Sequence, residues 1–239
     1  IAAARSGAHI LLAEQNGFLG GTSTASLVTP MMANHLQAQP LNQGIYLEVL
    51  NTLLETGDAA VYKDGNAGWF NPEMLKLVLE QKAVAAGVEL LYHVYFSQAL
   101  VEAGVLKGAI FETKSGRGLI RAKVLIDASG DADLAFQAGV PMVIGRESDQ
   151  ANQPMALRFN LGQVNLLKAR DYFASLGEFD WTDNPHDPEL PLWTTACTWD
   201  KPWPLSPLFQ QAVAAGELSE DDAAYFQIFT VPGRPGEVA

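Results

Sequence analysis

The chain has 239 residues, is 48% hydrophobic and has a mean hydropathy of +0.05, enough apolar material for one large domain or two smaller ones. Its 27 acidic residues outnumber 15 basic ones, a formal net charge of -12, and no Lys or Arg run forms a phosphate-tracking stripe, which disfavours nucleic acid and anionic membranes as partners. No apolar run reaches the ~18 residues that span a bilayer and no signal-peptide pattern is present, so the expected compartment is the cytoplasm.

In chain order, Ile1 to Gly7 reads as the last turns of a helix closed by a C-terminal glycine, which gives the expectation of an internal piece of a longer protein. Residues 8–14 (AHILLAE) form an apolar run that ends in one acid, the pattern of a buried parallel strand. A loop over 15–21 leads into residues 22–35, rich in small residues and Met and read as an irregular helix. Residues 40–54 carry apolar side chains near a helical period, and 57–70 are turn-rich. Asn71-Pro72-Glu73 supplies an N-cap, a first-turn proline and a first-turn acid for a helix to about Ala86, with Gly87 as its stop.

From Val88 the period changes to β-prone runs over 89–95, 96–102, 106–113 and 118–122, read as a β-meander (about 95–122 at its centre). Residues 123–127 (KVLID) read as another buried strand, followed by a helix over about 132–138. Beyond it come a strand at 155–161, a helix at 166–176, and a Pro- and Trp-rich excursion at 181–207. Cys197, the one cysteine, excludes an internal disulfide and is expected to be a small buried hydrophobe. A helix at 208–215, an acidic turn at 217–222 and a strand at 225–231 precede a turn-rich stop at 232–236 with no closing element. The expected organisation is α/β: residues 1–150 as an incomplete Rossmann-like domain with an inserted β-meander, and 151–239 as part of a second, α+β domain.

Three constellations carry chemistry. Glu14 closes a strand, where a dinucleotide-binding unit presents an acid to an adenosine ribose, its two oxygens matching two hydroxyl donors. The plain alternative is a solvated strand end. Gly17-Phe18-Leu19-Gly20-Gly21-Thr22-Ser23 follows at once, and its paired glycines let backbone amides approach a ligand, or simply make a flexible turn. Asp127-Ala128-Ser129-Gly130-Asp131 turns an apolar strand into a helix N-terminus, either beside a ligand or as an ordinary turn capped by Asp131.

The order of acid, G-F-L-G-G-T loop, helices, β-meander and D-A-S-G-D bend resembles the FAD-dependent oxidoreductases of the glutathione-reductase-like class, over residues 1 to about 159 and including Gln153-Pro154-Met155 and Arg158-Phe159. The resemblance implies FAD as cofactor, a small-molecule substrate and electron or hydride transfer. Glu14 would hold the ribose, Gly20, Gly21 and Thr22 would pass near the pyrophosphate or flavin, and Gly130 and Asp131 would lie along the cofactor. The family's GxGxxG turn and late Gly-Asp segment are not in this sequence, so the expectation is a fragment that is inactive alone.

On the substrate side, His35 is a candidate proton shuttle, and Arg146 and Arg158 are candidate forks for a substrate carboxylate. Trp181, Trp193, Trp199 and Trp203 offer an aromatic surface for a ring or sugar, or else domain packing. No metal site is expected, and substrate, electron acceptor and oligomeric state are not readable. Two other readings are open: a nicotinamide-only Rossmann dehydrogenase, and a non-enzymatic carbohydrate- or partner-binding module.

Overall fold

The computed structural model describes residues 1–29, 31, 35–36, 39–61, 69–153, 155–177, 180–187 and 190–239, with the side chains of His35 and Asp180 outside that description. In chain order the elements are α1 (Ala2–Arg5), β1 (Leu11–Glu14), a 3-10 turn (Gly21–Ser23), β2 (His35–Leu36), β3 (Gln39–Pro40), α2 (Ile45–Glu55), β4 (Ala59–Ala60), β5 (Trp69–Phe70) and α3 (Pro72–Ala85). They continue as β6 (Glu89–Tyr92), β7 (Tyr95–Glu102), β8 (Val105–Thr113), β9 (Gly116–Arg121), α4 (Asp133–Gln137), α5 (Leu166–Leu176), β10 (Asp180–Thr182), β11 (Leu192–Cys197), α6 (Ser206–Ala214) and β12 (Phe226–Phe229). Helices combine with both parallel and antiparallel strand pairs, a mixed α/β arrangement. Two compact units divide the chain, one of Ile1–Gly21 with Leu79–Leu157, the other of Thr22–Val78 with Arg158–Ala239.

In the first unit, Gly7 takes φ +91 after α1, a left-handed turn that glycine makes without a Cβ clash. β1 then pairs in parallel with β6, Leu11 opposite Glu89 and Glu14 opposite Tyr92. The sheet is held by buried Leu19, Ala83 and Val88, with Ile10, Leu12, Leu79 and Leu90 packed around them. α3, whose first turns belong to the second unit, begins as its sequence predicts: the Asn71 side-chain carbonyl accepts the Glu73 N–H at 3.1 Å, and Pro72 is its first residue. β7, β8 and β9 form the antiparallel meander. Residues 89–92 are not part of it, contrary to the pattern reading. Alternation shows that a run is a strand but not which partner it takes, and the left-handed His93 (φ +56) separates β6 from β7.

The strand expected at 123–127 is absent. Those residues make no ladder, and Val124 and Ile126 are each 77% exposed while Leu125 and Asp127 are half-buried. An apolar run reads as a buried strand only if neighbours cover both faces, and within this unit none does. The bend after it is positioned from the other side, because Gln137 of α4 accepts the Ala99 N–H at 2.9 Å and so docks α4 on β7.

The second unit is built on the antiparallel order β10-β11-β12. Trp193 is fully buried with Leu166 and Val238, and its indole N–H donates to the Leu166 carbonyl at 3.2 Å. Phe229 packs with Trp69, Ala60 and Leu192. The aromatic-rich excursion therefore contributes its central tryptophan to the core rather than to a surface. Asp58, buried, accepts from Asn71 Nδ2 at 2.8 Å and from the Thr56 hydroxyl at 2.7 Å.

Several boundaries differ from the sequence reading. α2 starts at Ile45 because Gln39–Pro40 pairs with His35–Leu36 and Gly44 (φ +64) breaks the run. The helix expected over 22–35 reduces to the 3-10 turn at Gly21–Ser23, followed by Leu27 at φ +55. Residues 30 and 32–34 of that stretch, residues 62–68 of the 57–70 turn region and Pro154 of the Gln153-Pro154-Met155 segment lie outside the described residues. The strand expected at 155–161 has one bridge, Leu161 to Val238. That bridge also corrects the open stop at 232–236: Val238 bridges Thr230 as well, and the Phe229 and Ala239 N–H groups each donate to the other's carbonyl at 3.0 Å.

Candidate functional site

β1 and β6 run in the same direction, so Glu14 and Tyr92 end at one edge of the parallel pair, the edge at which α/β sheets bind nucleotides. Glu14 Oε1 accepts two hydrogen bonds from Asn16, the backbone N–H at 2.8 Å and Nδ2 at 3.0 Å. Oε2 carries no hydrogen bond among the described residues. The carboxylate is thus oriented through one oxygen and open through the other, so it does not offer both oxygens unengaged as the sequence argument assumed. The Asn16 carbonyl in turn accepts the His93 N–H at 3.3 Å, and the Glu14 carbonyl the Val94 N–H at 3.2 Å.

Loop and strand end are closely fitted. A Cβ at Gly17 would lie 2.9 Å from His93 Cε1, so the imidazole packs directly on the glycine backbone. Leu19 anchors the loop in the core, and Gly20 (φ +115) and Gly21 (φ +48) then take left-handed conformations that side chains resist. Thr22, exposed, begins the second unit.

Tyr92 lies beside this acid. Burial, then the hydrogen bond to Glu80 at 2.8 Å and the charges of Glu80 and Glu14, push its hydroxyl up to about 12, so it remains a donor at neutral pH. Asn16, Tyr92 and His93 carry no motif and were not singled out from sequence; the Gly17 spacing after Glu14 was the one available signal.

The second segment bends at Gly130 (φ +97) and Ala132 (φ +60). A Cβ at Gly130 would meet nothing within 4 Å, so the glycine serves backbone conformation and open approach, not packing. Asp131 is exposed and is not the helix cap. Asp127 does that work, accepting the Ser129 N–H at 2.9 Å and the Ala135 N–H at 2.8 Å, while Ser129 Oγ accepts the Asp133 N–H at 3.1 Å. Burial opposes the Asp127 charge, but these backbone donors outweigh it and hold its carboxyl below the usual range. The Asp131 carboxylate is left without a partner among the described residues.

Of the substrate-side candidates, the His35 side chain lies outside the described residues. Arg146 is exposed and forks onto Asp149, Nε to Oδ1 at 2.9 Å and Nη2 to Oδ2. Arg158 is half-buried and meets a neutral amide, Nη2 to Gln227 Oε1 at 2.9 Å, with its guanidinium 5.4 Å from the Phe229 ring centre. Cys197 is fully buried in β11, and burial pushes its thiol up to about 11. No cluster of three His, Cys, Asp or Glu residues with metal-binding geometry occurs among the described residues, and no helix among them is long and apolar enough to cross a membrane.

An acid and a glycine loop thus meet at the carboxyl edge of a parallel pair, the edge at which α/β sheets bind ligands. The chain belongs to the FAD dependent oxidoreductase family, whose model matches residues 1–239, and its cofactor is FAD. Among solved structures it is similar to THI4 of Thermovibrio ammonificans, at 19% identity over 60% of this chain and 59% of that one, with a TM-score of 0.41. It is also similar to the FAD-complexed glycerol-3-phosphate dehydrogenase of Bacillus halodurans, at 15% identity over 51% of this chain and 29% of that one, with a TM-score of 0.32. The chain therefore spans less than two thirds of either structure. No curated protein sequence matches it. The residues present fit the cofactor: the open Glu14 oxygen suits a ribose hydroxyl, and the left-handed glycines leave space that a Cβ would occupy.

Proposed function

We propose that this chain is part of a flavin oxidoreductase acting on a small-molecule substrate, with residues 1–150 belonging to the FAD-binding domain and 151–239 to a substrate domain. Glu14 holds the adenosine ribose through Oε2 while Asn16 fixes Oε1. Gly20, Gly21 and Thr22 line the path toward the pyrophosphate and flavin, and Gly130 and Asp131 lie along the cofactor. FAD, when bound, supplies the acceptor for a hydride or an electron pair from the substrate. The half-engaged Glu14 carboxylate at the β1–β6 edge is the observation that carries this reading.

The chain holds only part of the cofactor site in this proposal. Support comes from the 123–127 segment, an apolar run that makes no ladder and leaves Val124 and Ile126 uncovered, as the residues of a strand are when its neighbour is supplied from elsewhere in the protein. The neighbour expected is a short apolar strand leading into a GxGxxG turn, whose helix N-terminus would face the pyrophosphate. Candidate groups for the substrate are His35, Arg146 and Arg158.

The test is to purify the full-length protein, record its visible spectrum, and compare FAD affinity with that of Glu14→Gln. The substitution retains an acceptor for Asn16 and removes the charge. Loss of a charged hydrogen bond worth about 1.5–3 kcal/mol predicts roughly 10–100-fold weaker FAD binding with little change in apoprotein melting. A flavin-free native protein, or an unchanged affinity, refutes the assignment.

A further inference from the structure

The parallel ladder between β1 and β6 breaks its pattern at one residue, beside the candidate ribose acid. It begins with the Glu89 N–H on the Ile10 carbonyl at 2.9 Å, with Leu11 opposite Glu89. Hydrogen bonds of a parallel pair are evenly spaced. Carried on past Glu14 opposite Tyr92, that spacing would deliver the His93 N–H to the Glu14 carbonyl and the Asn16 N–H to the His93 carbonyl. The bonds formed are different. The Glu14 carbonyl takes the Val94 N–H at 3.2 Å, the His93 N–H goes to the Asn16 carbonyl at 3.3 Å, and the Asn16 N–H goes to Glu14 Oε1 at 2.8 Å.

The cause is the His93 backbone, left-handed at φ +56 between two extended strands. Such a residue adds one position to its strand without lengthening it, as a β-bulge does, and re-aims its side chain. Val94 therefore stands at the rung His93 would have filled. A left-handed conformation is unfavourable for a residue with a Cβ, and packing of the imidazole offsets part of that cost. A Cβ at Gly17 would lie 2.9 Å from His93 Cε1 and 3.0 Å from Nε2, so the ring rests on bare loop backbone. The Asn16 N–H, not used by the ladder, joins Asn16 Nδ2 on the same Glu14 oxygen.

We propose that His93 is a positioning residue for the ribose end of the cofactor. Its left-handed turn ends the regular β1–β6 ladder early and releases the Asn16 N–H to clamp Glu14 Oε1, which leaves Oε2 for a ribose hydroxyl. His93 acts through Asn16 and Glu14 and needs no contact with FAD. That Glu14 meets the ribose rests on the flavin oxidoreductase reading; the release of the Asn16 N–H by His93 does not.

The experiment compares His93→Val, His93→Asn and His93→Gly in the full-length protein, with two readouts. One is FAD affinity, by titration of the flavin-stripped protein. The other, without FAD, is the Asn16 backbone amide proton resonance, which should move strongly as Glu14 is protonated in acid if the carboxylate is its acceptor. Val resists a left-handed backbone, whereas Asn and Gly accept it. His93→Val is expected to weaken FAD binding about 10-fold, the loss of one well-oriented charged hydrogen bond, and to abolish the Asn16 response. His93→Asn and His93→Gly should stay close to wild type in both. In a Glu14→Ala background His93→Val should weaken FAD binding no further, because its effect runs through that carboxylate. Wild-type behaviour of His93→Val overturns the proposal. So does a loss in His93→Gly as large as in His93→Val, which would make the imidazole itself the ligand, and so do losses from Glu14→Ala and His93→Val that simply add. Should His93→Val not fold, His93→Ala set against His93→Asn carries the same decision. A protein that binds no FAD, or binds it indifferently to Glu14→Ala, would remove the ribose assignment, and the Asn16 resonance would still decide whether His93 frees that N–H.

Discussion

Replacing Asp127 by Ala tests how the Gly130–Asp131 bend is held. The Asp127 carboxylate accepts backbone N–H groups from Ser129 and Ala135 at 2.9 and 2.8 Å, and α4 has only five residues, too few to be stable through its own hydrogen bonds. Loss of a side-chain cap costs about 0.5–2 kcal/mol, and two charged acceptor contacts place this site toward the upper end. The effect should be local. Amide exchange at Ala135 should accelerate about 10–30-fold, which is that energy expressed as an opening equilibrium, while the β7–β9 meander keeps its protection. The pH dependence follows from the direction of the shift. A carboxyl held below its unfolded value stabilises fully above the unfolded pKa, and its contribution falls away as pH drops through the folded pKa. Wild-type protection at Ala135, corrected for intrinsic exchange, should therefore decline in acid below the usual carboxylate range, and the Ala variant should show no such decline. Unchanged Ala135 protection in the variant would refute the capping role.

Trp193→Ala removes a fully buried indole packed against Phe173, at 5.2 Å between ring centres, together with Leu166 and Val238. A loss of about 3–5 kcal/mol is expected in urea unfolding of the second unit, a large part of a typical domain's stability, and a cost below about 1 kcal/mol would contradict the assigned core. The Cys197 thiol, pushed up to about 11 by burial, should resist alkylation at pH 8 in the native protein and react fully once unfolded; rapid native reaction would show that β11 opens.

Helix signals were the most legible part of the sequence because they are local. Asn71, Pro72 and Gly87 act within a few residues of the backbone groups they terminate, and α3 forms where they place it. Strand partners were less legible, since pairing joins residues far apart. The Glu89–Tyr92 run reads alike whether it opens a meander or pairs in parallel with β1, and only the turn at His93 distinguishes the two. Likewise the bridge from Val238 to Leu161 and Thr230 leaves no trace in the short segment after Gly236. At the candidate site, Glu14 and the glycines were legible through spacing. The groups that orient them were not, because Asn16 acts on Glu14 through an ordinary turn and His93 meets Gly17 across 76 positions of sequence.

The same distinction bears on which acids matter in the D-A-S-G-D bend. In the sequence Asp131, nearest the helix start, reads as the cap of an ordinary turn. Geometry assigns the cap to Asp127, whose carboxylate is committed to Ser129 and Ala135. Asp131, with its carboxylate exposed and no partner among the described residues, is then free of structural duty. The two acids divide the work: one fixes the backbone conformation that Gly130 permits, and the other presents a charge from it. A side chain that holds the bend cannot also be offered to a ligand without loosening α4, so Asp131 rather than Asp127 is the acid to vary when cofactor contacts are sought.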